Sequence, residues 1–174
     1  FVGDWAPESL PVKGLDSPIP EDTIQRDLAR RAYYAQISFI DYQLNRIFMA
    51  LFEHRVLDNT AILFTADHGE MLYDHNMIAK GLPFDGSARL PLILRLPKTG
   101  QWEQTRQQVD QVVELRDLMP TFCELAGINP PEIADGQSIL GLCRGETKTW
   151  REYLHGENIQ PDCTQWLTDG REKY

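Results

Sequence analysis

An apolar, β-rich stretch that stops at a carboxylate and an imidazole is the feature that most restricts what this chain can fold into. Ala61-Ile62-Leu63-Phe64-Thr65 runs into Asp67-His68-Gly69, and His75 and Lys80 follow within one loop's length. Open α/β sheets present metal ligands and catalytic groups in this way, just beyond the carboxyl end of a strand. Adjacent strand side chains point to opposite faces. For Asp67 and His68 to reach one ion, the chain must already be leaving the strand, and Gly69 permits that turn. The competing reading of the pair is a turn carrying a surface histidine.

Lys80 and His75 favour chemistry over a bare turn. A lysine in a loop such as Lys80-Gly81-Leu82-Pro83 is ordinarily a solvated charge. An ammonium beside a divalent cation makes sense with an anion between them. Lys80 would then hold a sulfate or phosphate oxygen and stabilise charge that develops in the transition state. His75 would donate to the same oxyanion or protonate a leaving alkoxide, or else pack as a satisfied loop histidine. Asp85 and Arg89 flank the loop as pocket-shaping groups or a simple pair. Asp41 reads as a structural hydrogen-bonder and His155 as a strand-end residue.

The flanking pattern predicts alternating helices and strands, hence an α/β class. Residues 1–20 carry four prolines and read as an irregular segment. Pro20-Glu21-Asp22 opens a long helix with an apolar stripe at Ile24, Leu28, Ala32, Ala35 and Phe39. From Ile40 the stripe broadens, which predicts burial on more sides. The helix should end between Glu53 and Val56. Strands are expected at 60–66 and 90–96, with Pro91 at the start of the second, and a short third strand at 107–114. A helix over 117–126 carries Pro120 in its first turn and stops at Gly127. A short helix at 138–143, a strand at 151–156 and a hairpin over 166–174 turning at Asp169-Gly170 complete the prediction.

Composition narrows the partners. The 174 residues are 42% hydrophobic and 25% charged, ordinary for a soluble globular chain. A net charge of −9 argues against a nucleic-acid partner, but not against a small anion held by one local cation and a metal. No apolar run reaches the roughly 20 residues of a membrane span. Compartment stays open between cytoplasmic and periplasmic or secreted. The three cysteines, Cys123, Cys143 and Cys163, form no CxxC pair. One disulfide plus a thiol and three reduced thiols both fit. A start at Phe1 without Met suggests processing or trimming.

The order of several motifs is similar to the carboxyl-side half of the type I sulfatases, within the alkaline phosphatase superfamily. These motifs are Phe64-Thr65-Ala66-Asp67-His68-Gly69-Glu70-Met71-Leu72, Asp74-His75, Lys80-Gly81-Leu82-Pro83-Phe84 and Arg89-Leu90-Pro91-Leu92-Ile93. Ile37-Ser38-Phe39-Ile40-Asp41, Asp117-Leu118-Met119-Pro120-Thr121 and Trp166 to Tyr174 agree with it. The resemblance implies an alkaline-phosphatase-like sandwich with a mostly parallel sheet flanked by helices. On it, residues 21–145 belong to the α/β domain and 146–174 begin a small C-terminal antiparallel sheet. Asp67 and His68 match metal ligands, Lys80 the sulfate-contacting lysine, and His75 a position near the substrate. The family metal is calcium. A histidine ligand suits calcium less well than an oxygen donor would, so manganese and zinc remain alternatives. The expected substrate is a small aryl or carbohydrate sulfate ester.

The family nucleophile is a formylglycine made from Cys or Ser within C/S-x-P-x-R. None of the three cysteines stands in such a motif, and Ser17-Pro18-Ile19-Pro20 has its prolines misplaced. The formylglycine and the first pair of metal-binding aspartates are therefore expected in a preceding, N-terminal part, and this chain by itself is expected to be inactive. A phosphodiesterase or phosphonate monoester hydrolase of the same superfamily is the nearest alternative, and a non-catalytic module is another.

Overall fold

The computed structural model describes residues 23–98, 108–147, 149–158 and 164–174. They fall into two compact units divided between Glu103 and Gln104.

The first unit opens with α1 (Thr23–Glu53), a helix of 31 residues. The expected opening at Pro20–Asp22 lies outside the described residues. The end falls at Glu53, as the pattern predicts. It is closed by a Schellman motif: the Val56 N–H donates to Leu51 O at 3.0 Å and the Arg55 N–H to Phe52 O at 2.9 Å. Arg55 occupies the left-handed position at φ 57°. The expected burial of the helix's second half is not found. No α1 residue is buried, and Ile40, Ile47 and Phe52 are all more than half exposed. The helix carries apolar side chains around more of its circumference than the described residues cover.

Strand β1 (Ile62–Thr65) follows. It pairs with β2 (Leu92–Arg95) in register Ile62↔Arg95 to Thr65↔Leu92. Both lie inside the predicted ranges. The pairing is antiparallel, whereas a mostly parallel sheet was the expectation. Parallel neighbours need a crossover, usually a helix. Here the connection over 66–91 contains a 3-10 turn at Asp74–Asn76 and the four-residue helix α2 (Asp85–Ala88), and it returns to the end of β1 it left. The whole connection is therefore a long loop at the carboxyl end of β1, where the candidate site residues sit. Arg95 anchors the far end of the pair. Its Nη1 donates to Leu57 O and Thr60 O, both at 2.8 Å, and its Nη2 pairs with Asp58 at 3.2 Å. These bonds satisfy carbonyls in the α1–β1 connection that no ladder reaches.

The second unit contains α3 (Leu118–Leu125), preceded by a 3-10 turn at Leu115–Asp117, and the short α4 (Leu140–Cys143). Pro120 is the third residue of α3, where a missing N–H leaves no bond unmade. Gly127, at φ 69°, ends the helix as predicted. The expected strand at 107–114 is absent over the described residues 108–114. Side chains, not a partner strand, take its backbone groups. Trp150 Nε1 donates to Val112 O at 2.7 Å, and the Glu114 N–H donates to Asp117 Oδ2 at 2.9 Å.

Strands β3 (Leu154–Asn158) and β4 (Thr164–Thr168) pair antiparallel, a pairing the sequence pattern did not specify, and β3 starts three residues later than the strand predicted at 151–156. The chain turns again at Asp169-Gly170, and Leu167 and Tyr174 exchange backbone bonds of 2.9 Å in both directions. The Glu172 and then the Arg171 N–H donate to Asp169 Oδ1, which holds this carboxyl below its ordinary range. The turn is therefore supported by the ionised form above the ordinary carboxylate range and loses that support as pH falls through the lowered value.

The hub of this unit is Asp117, with no exposed surface. Arg151 reaches it with both arms, Nη2 to Oδ1 at 2.6 Å and Nη1 to Oδ2 at 2.9 Å. The Gln137 N–H donates to Oδ1 at 2.8 Å. Glu114 takes Arg151 Nη1 at 2.7 Å and shares a reciprocal capping box with Asp117. The Thr121 hydroxyl donates to Asp117 O at 2.6 Å and accepts the Ile139 N–H at 3.1 Å, which ties α3 to the approach to α4. Cys123 is a free thiol, Cys143 is half-buried on α4, and Cys163 lies outside the described residues.

Candidate metal and anion site

Beyond Thr65 the chain leaves the ladder, and Asp67 and His68 project from the first residues of the loop. The Asp67 carboxylate accepts the His68 N–H at Oδ1 over 2.9 Å. His68 Nδ1 lies 2.9 Å from Gly69 O. A carbonyl can only accept, so this bond requires the proton on Nδ1 and leaves the lone pair on Nε2. His68 Nε2 and Asp67 Oδ2 then stand 3.6 Å apart. Two metal bonds of about 2.0–2.6 Å reach both atoms from one point, whether for zinc or calcium. The pair is open to solvent, Asp67 at 86% and His68 at 45% side-chain exposure. Among the described residues no group of three or more His, Cys, Asp or Glu could hold a metal. Asp67 and His68 therefore fit as two donors of a set, fewer than a divalent ion takes.

Gly69 matters in a way its sequence position does not suggest. It is not in a left-handed conformation. A Cβ there would lie 2.0 Å from Gly86 O, so the residue is required for close backbone approach. Its N–H donates to Ser87 O at 2.8 Å.

The rest of the loop is tightly wound. Leu72, Tyr73, His75, Asn76 and Ala79 all have positive φ, between 50° and 73°. Such a run of non-glycine residues is strained and needs surrounding bonds to hold it. Glu70 Oε1 accepts the N–H groups of Leu72 at 3.2 Å and Ala79 at 2.6 Å, and the Met71 N–H donates to Ala79 O at 2.9 Å. Met71 beneath them is fully buried. Two α1 arginines grip the loop from outside. Arg30 Nε donates to Leu72 O at 3.0 Å, and Arg26 Nη2 donates to Asn76 Oδ1 at 2.6 Å. His75 stacks on the buried Phe84 ring at 4.4 Å and 21°. Lys80 is exposed at the end of the wound segment. Its neighbours are pinned: the Ala79 N–H by Glu70, and the Gly81 N–H by Ser87 Oγ at 2.9 Å.

The structure thus brings Asp67 and His68 together and anchors the backbones beside His68 and Lys80 to one residue, Ser87. It gives His75 an aromatic partner. Asp85 and Arg89 form the simple pair, at 3.4 Å. Asp41 is exposed on α1, and His155 is exposed on β3 opposite Leu167. Glu70, Ser87, Arg26 and Arg30 organise the loop yet were not singled out in the sequence, because their bonds to backbone groups and, for Arg26, to the Asn76 side chain depend on how the loop closes.

A sulfatase family model matches residues 11–128. An arylsulfatase of Clostridium perfringens is 36% identical over all of this chain and 37% of its own length. Among solved structures, a phosphonate monoester hydrolase of Agrobacterium radiobacter superposes with a TM-score of 0.71 at 32% identity, covering 83% of this chain and 32% of that one. A protein solved with its substrate D-glucosamine-2-N,6-O-disulfate superposes with a TM-score of 0.68 at 25% identity, covering 78% and 29%. The chain spans about a third of the length of these relatives. Its fold is alkaline-phosphatase-like α/β, and the family as a whole uses a divalent metal and a formylglycine. With two thirds of its residues inside the family match and the loop beyond β1 presenting a paired carboxylate and imidazole, the chain belongs to the sulfatase family.

Proposed function

We propose that this chain is the metal-binding and anion-contacting part of a sulfatase that hydrolyses aryl or carbohydrate sulfate esters. The observation that carries the reading is the convergence at Asp67 Oδ2 and His68 Nε2, 3.6 Å apart, with the Lys80 backbone anchored to the same residue as the chain beyond them. Asp67 and His68 hold the divalent cation, for which calcium is the family expectation and manganese or zinc the alternatives suggested by the imidazole. Bound there, a divalent cation supplies Lewis-acid polarisation of the ester's anionic oxygens. Lys80 places its ammonium on a sulfate oxygen and stabilises the charge that grows there. His75 protonates the departing alkoxide. Residues 21–145 form part of the α/β domain and 146–174 the start of the C-terminal subdomain. The uncovered apolar surface of α1 supports a larger α/β layer around it.

Asp67→Ala in the full-length protein is expected to weaken metal binding by more than the about 10–100-fold that loss of an outer hydrogen-bond partner costs. Calorimetric titration with calcium, and with manganese and zinc, measures this; unchanged affinity would remove Asp67 from the site. His75→Phe keeps an aromatic ring for Phe84 and removes the proton. It should slow esters of poor leaving alcohols more than nitrophenyl sulfate, and equal effects on both would rule out the proton-donor role. The isolated 174-residue chain is expected to show no turnover of an aryl sulfate with calcium present, and measurable turnover would overturn that.

A second reading, a phosphonate monoester hydrolase, draws on the 32% identical structural neighbour. Comparing kcat/KM of the full-length protein on an aryl sulfate and on an aryl phosphonate monoester separates the two.

A further inference from the structure

We infer that Ser87 is a positioning residue for Lys80, one that aligns the lysine with the metal pair through three backbone bonds. The inference rests on the reading of Lys80 as the sulfate-contacting group. Ser87 is 5% exposed and sits in the four-residue helix α2. Its Oγ accepts the N–H groups of Gly81 at 2.9 Å and Leu82 at 3.3 Å. Its carbonyl accepts the N–H of Gly69 at 2.8 Å. The residue after His68 and the residue after Lys80 are thus bound to opposite ends of one buried serine. The carbonyl half depends on Gly69 alone allowing that approach to Gly86 and Ser87. The hydroxyl half has no substitute in an alanine.

Lysine needs this more than most residues. Its ammonium rides on a flexible four-carbon stem, so the position of its base decides where the charge can go. Gly81 follows at φ 95°, a conformation open to few other residues and one with wide freedom if unpinned. On the other side Glu70 holds the Ala79 N–H. Losing the Ser87 hydroxyl would remove the bonds at Gly81 and Leu82 that hold the chain just after Lys80. A misplacement of about 1 Å at a reacting centre can cost about 100-fold in rate.

The test is a double-mutant cycle in the full-length protein on an aryl sulfate, with inorganic sulfate as inhibitor. Ser87→Ala should lower kcat/KM by about 10–100-fold and weaken sulfate inhibition. Calcium affinity should stay near wild type, because the carbonyl bond to Gly69 survives the change. In a Lys80→Ala background the same substitution should cost little. Ser87→Cys, which keeps a weak acceptor of similar size, should fall between the two and carries the cycle if the alanine variant does not fold. Equal penalties in both backgrounds, or a loss of calcium affinity matching the loss of rate, would overturn the positioning role while leaving Lys80 in place. A Lys80→Ala variant with unchanged turnover would sink the reading of Lys80 and the role of Ser87 with it.

Discussion

Lys80→Ala in the full-length protein is expected to lower kcat/KM for an aryl sulfate by about 10²–10³-fold, the scale seen when one preorganised oxyanion-stabilising donor is removed. The lysine is exposed, so its stem is not held by packing. What is held is its backbone, between Glu70 at Ala79 and Ser87 at Gly81. This arrangement stabilises the transition state only if an anion occupies the space the ammonium can reach. Lys80→Arg keeps the charge but exchanges a compact ammonium for a planar fork, and should recover only part of the loss. The loss should fall chiefly on kcat if the contact tightens as charge develops, and on KM if it is uniform binding. Steady-state kinetics on aryl sulfates of graded leaving-group ability, with inorganic sulfate as inhibitor, distinguishes these. Full retention of turnover would point instead to a loop lysine in a non-catalytic module.

The largest stability effect is expected at Asp117. Asp117→Ala removes two of the three acceptor oxygens of the Arg151 fork and leaves the N–H groups of Glu114 and Gln137 without their Asp117 partner. Breaking a buried ion pair by deleting one member costs about 3–5 kcal/mol, because the other charge stays behind. Arg151 is only 16% exposed at its side chain and keeps one acceptor, Glu114, so the lower part of that range is the better expectation. The nearby pair of Arg116 with Asp135 is mostly solvent-exposed, and its removal should cost under about 1 kcal/mol. Urea midpoints of the full-length variants test the contrast. Similar shifts for Asp117→Ala and Asp135→Ala would show that burial of Asp117 does not control the stability of this unit.

Much of the fold was legible from local pattern. The ends of α1 and α3, both strands around the site, the C-cap at Gly127 and the turn at Asp169-Gly170 follow from periodicity and from residues with strong backbone preferences. The strand expected at 107–114 failed because apolar alternation does not say what will satisfy the backbone. Trp150 and Asp117 supply bonds that a neighbouring strand would otherwise have made. The antiparallel direction of the β1–β2 pair was not legible, because strand direction depends on how a connection returns.

The site divides in the same way. Asp67, His68, His75 and Lys80 stand out as candidates because a strand that ends in chemistry-bearing residues is a short-range signal, and the order of the motifs around them is that of a sulfatase. The sequence alone therefore determined which residues to watch and which family they belong to. Tertiary structure alone decided how they are held. The proton on His68 Nδ1 follows from the Gly69 carbonyl, the close approach of Gly69 from Gly86, and the placement of Lys80 from Glu70 and Ser87. Each of these is a hydrogen bond or a contact between groups whose meeting depends on loop closure, and loop closure leaves no periodic mark on a sequence.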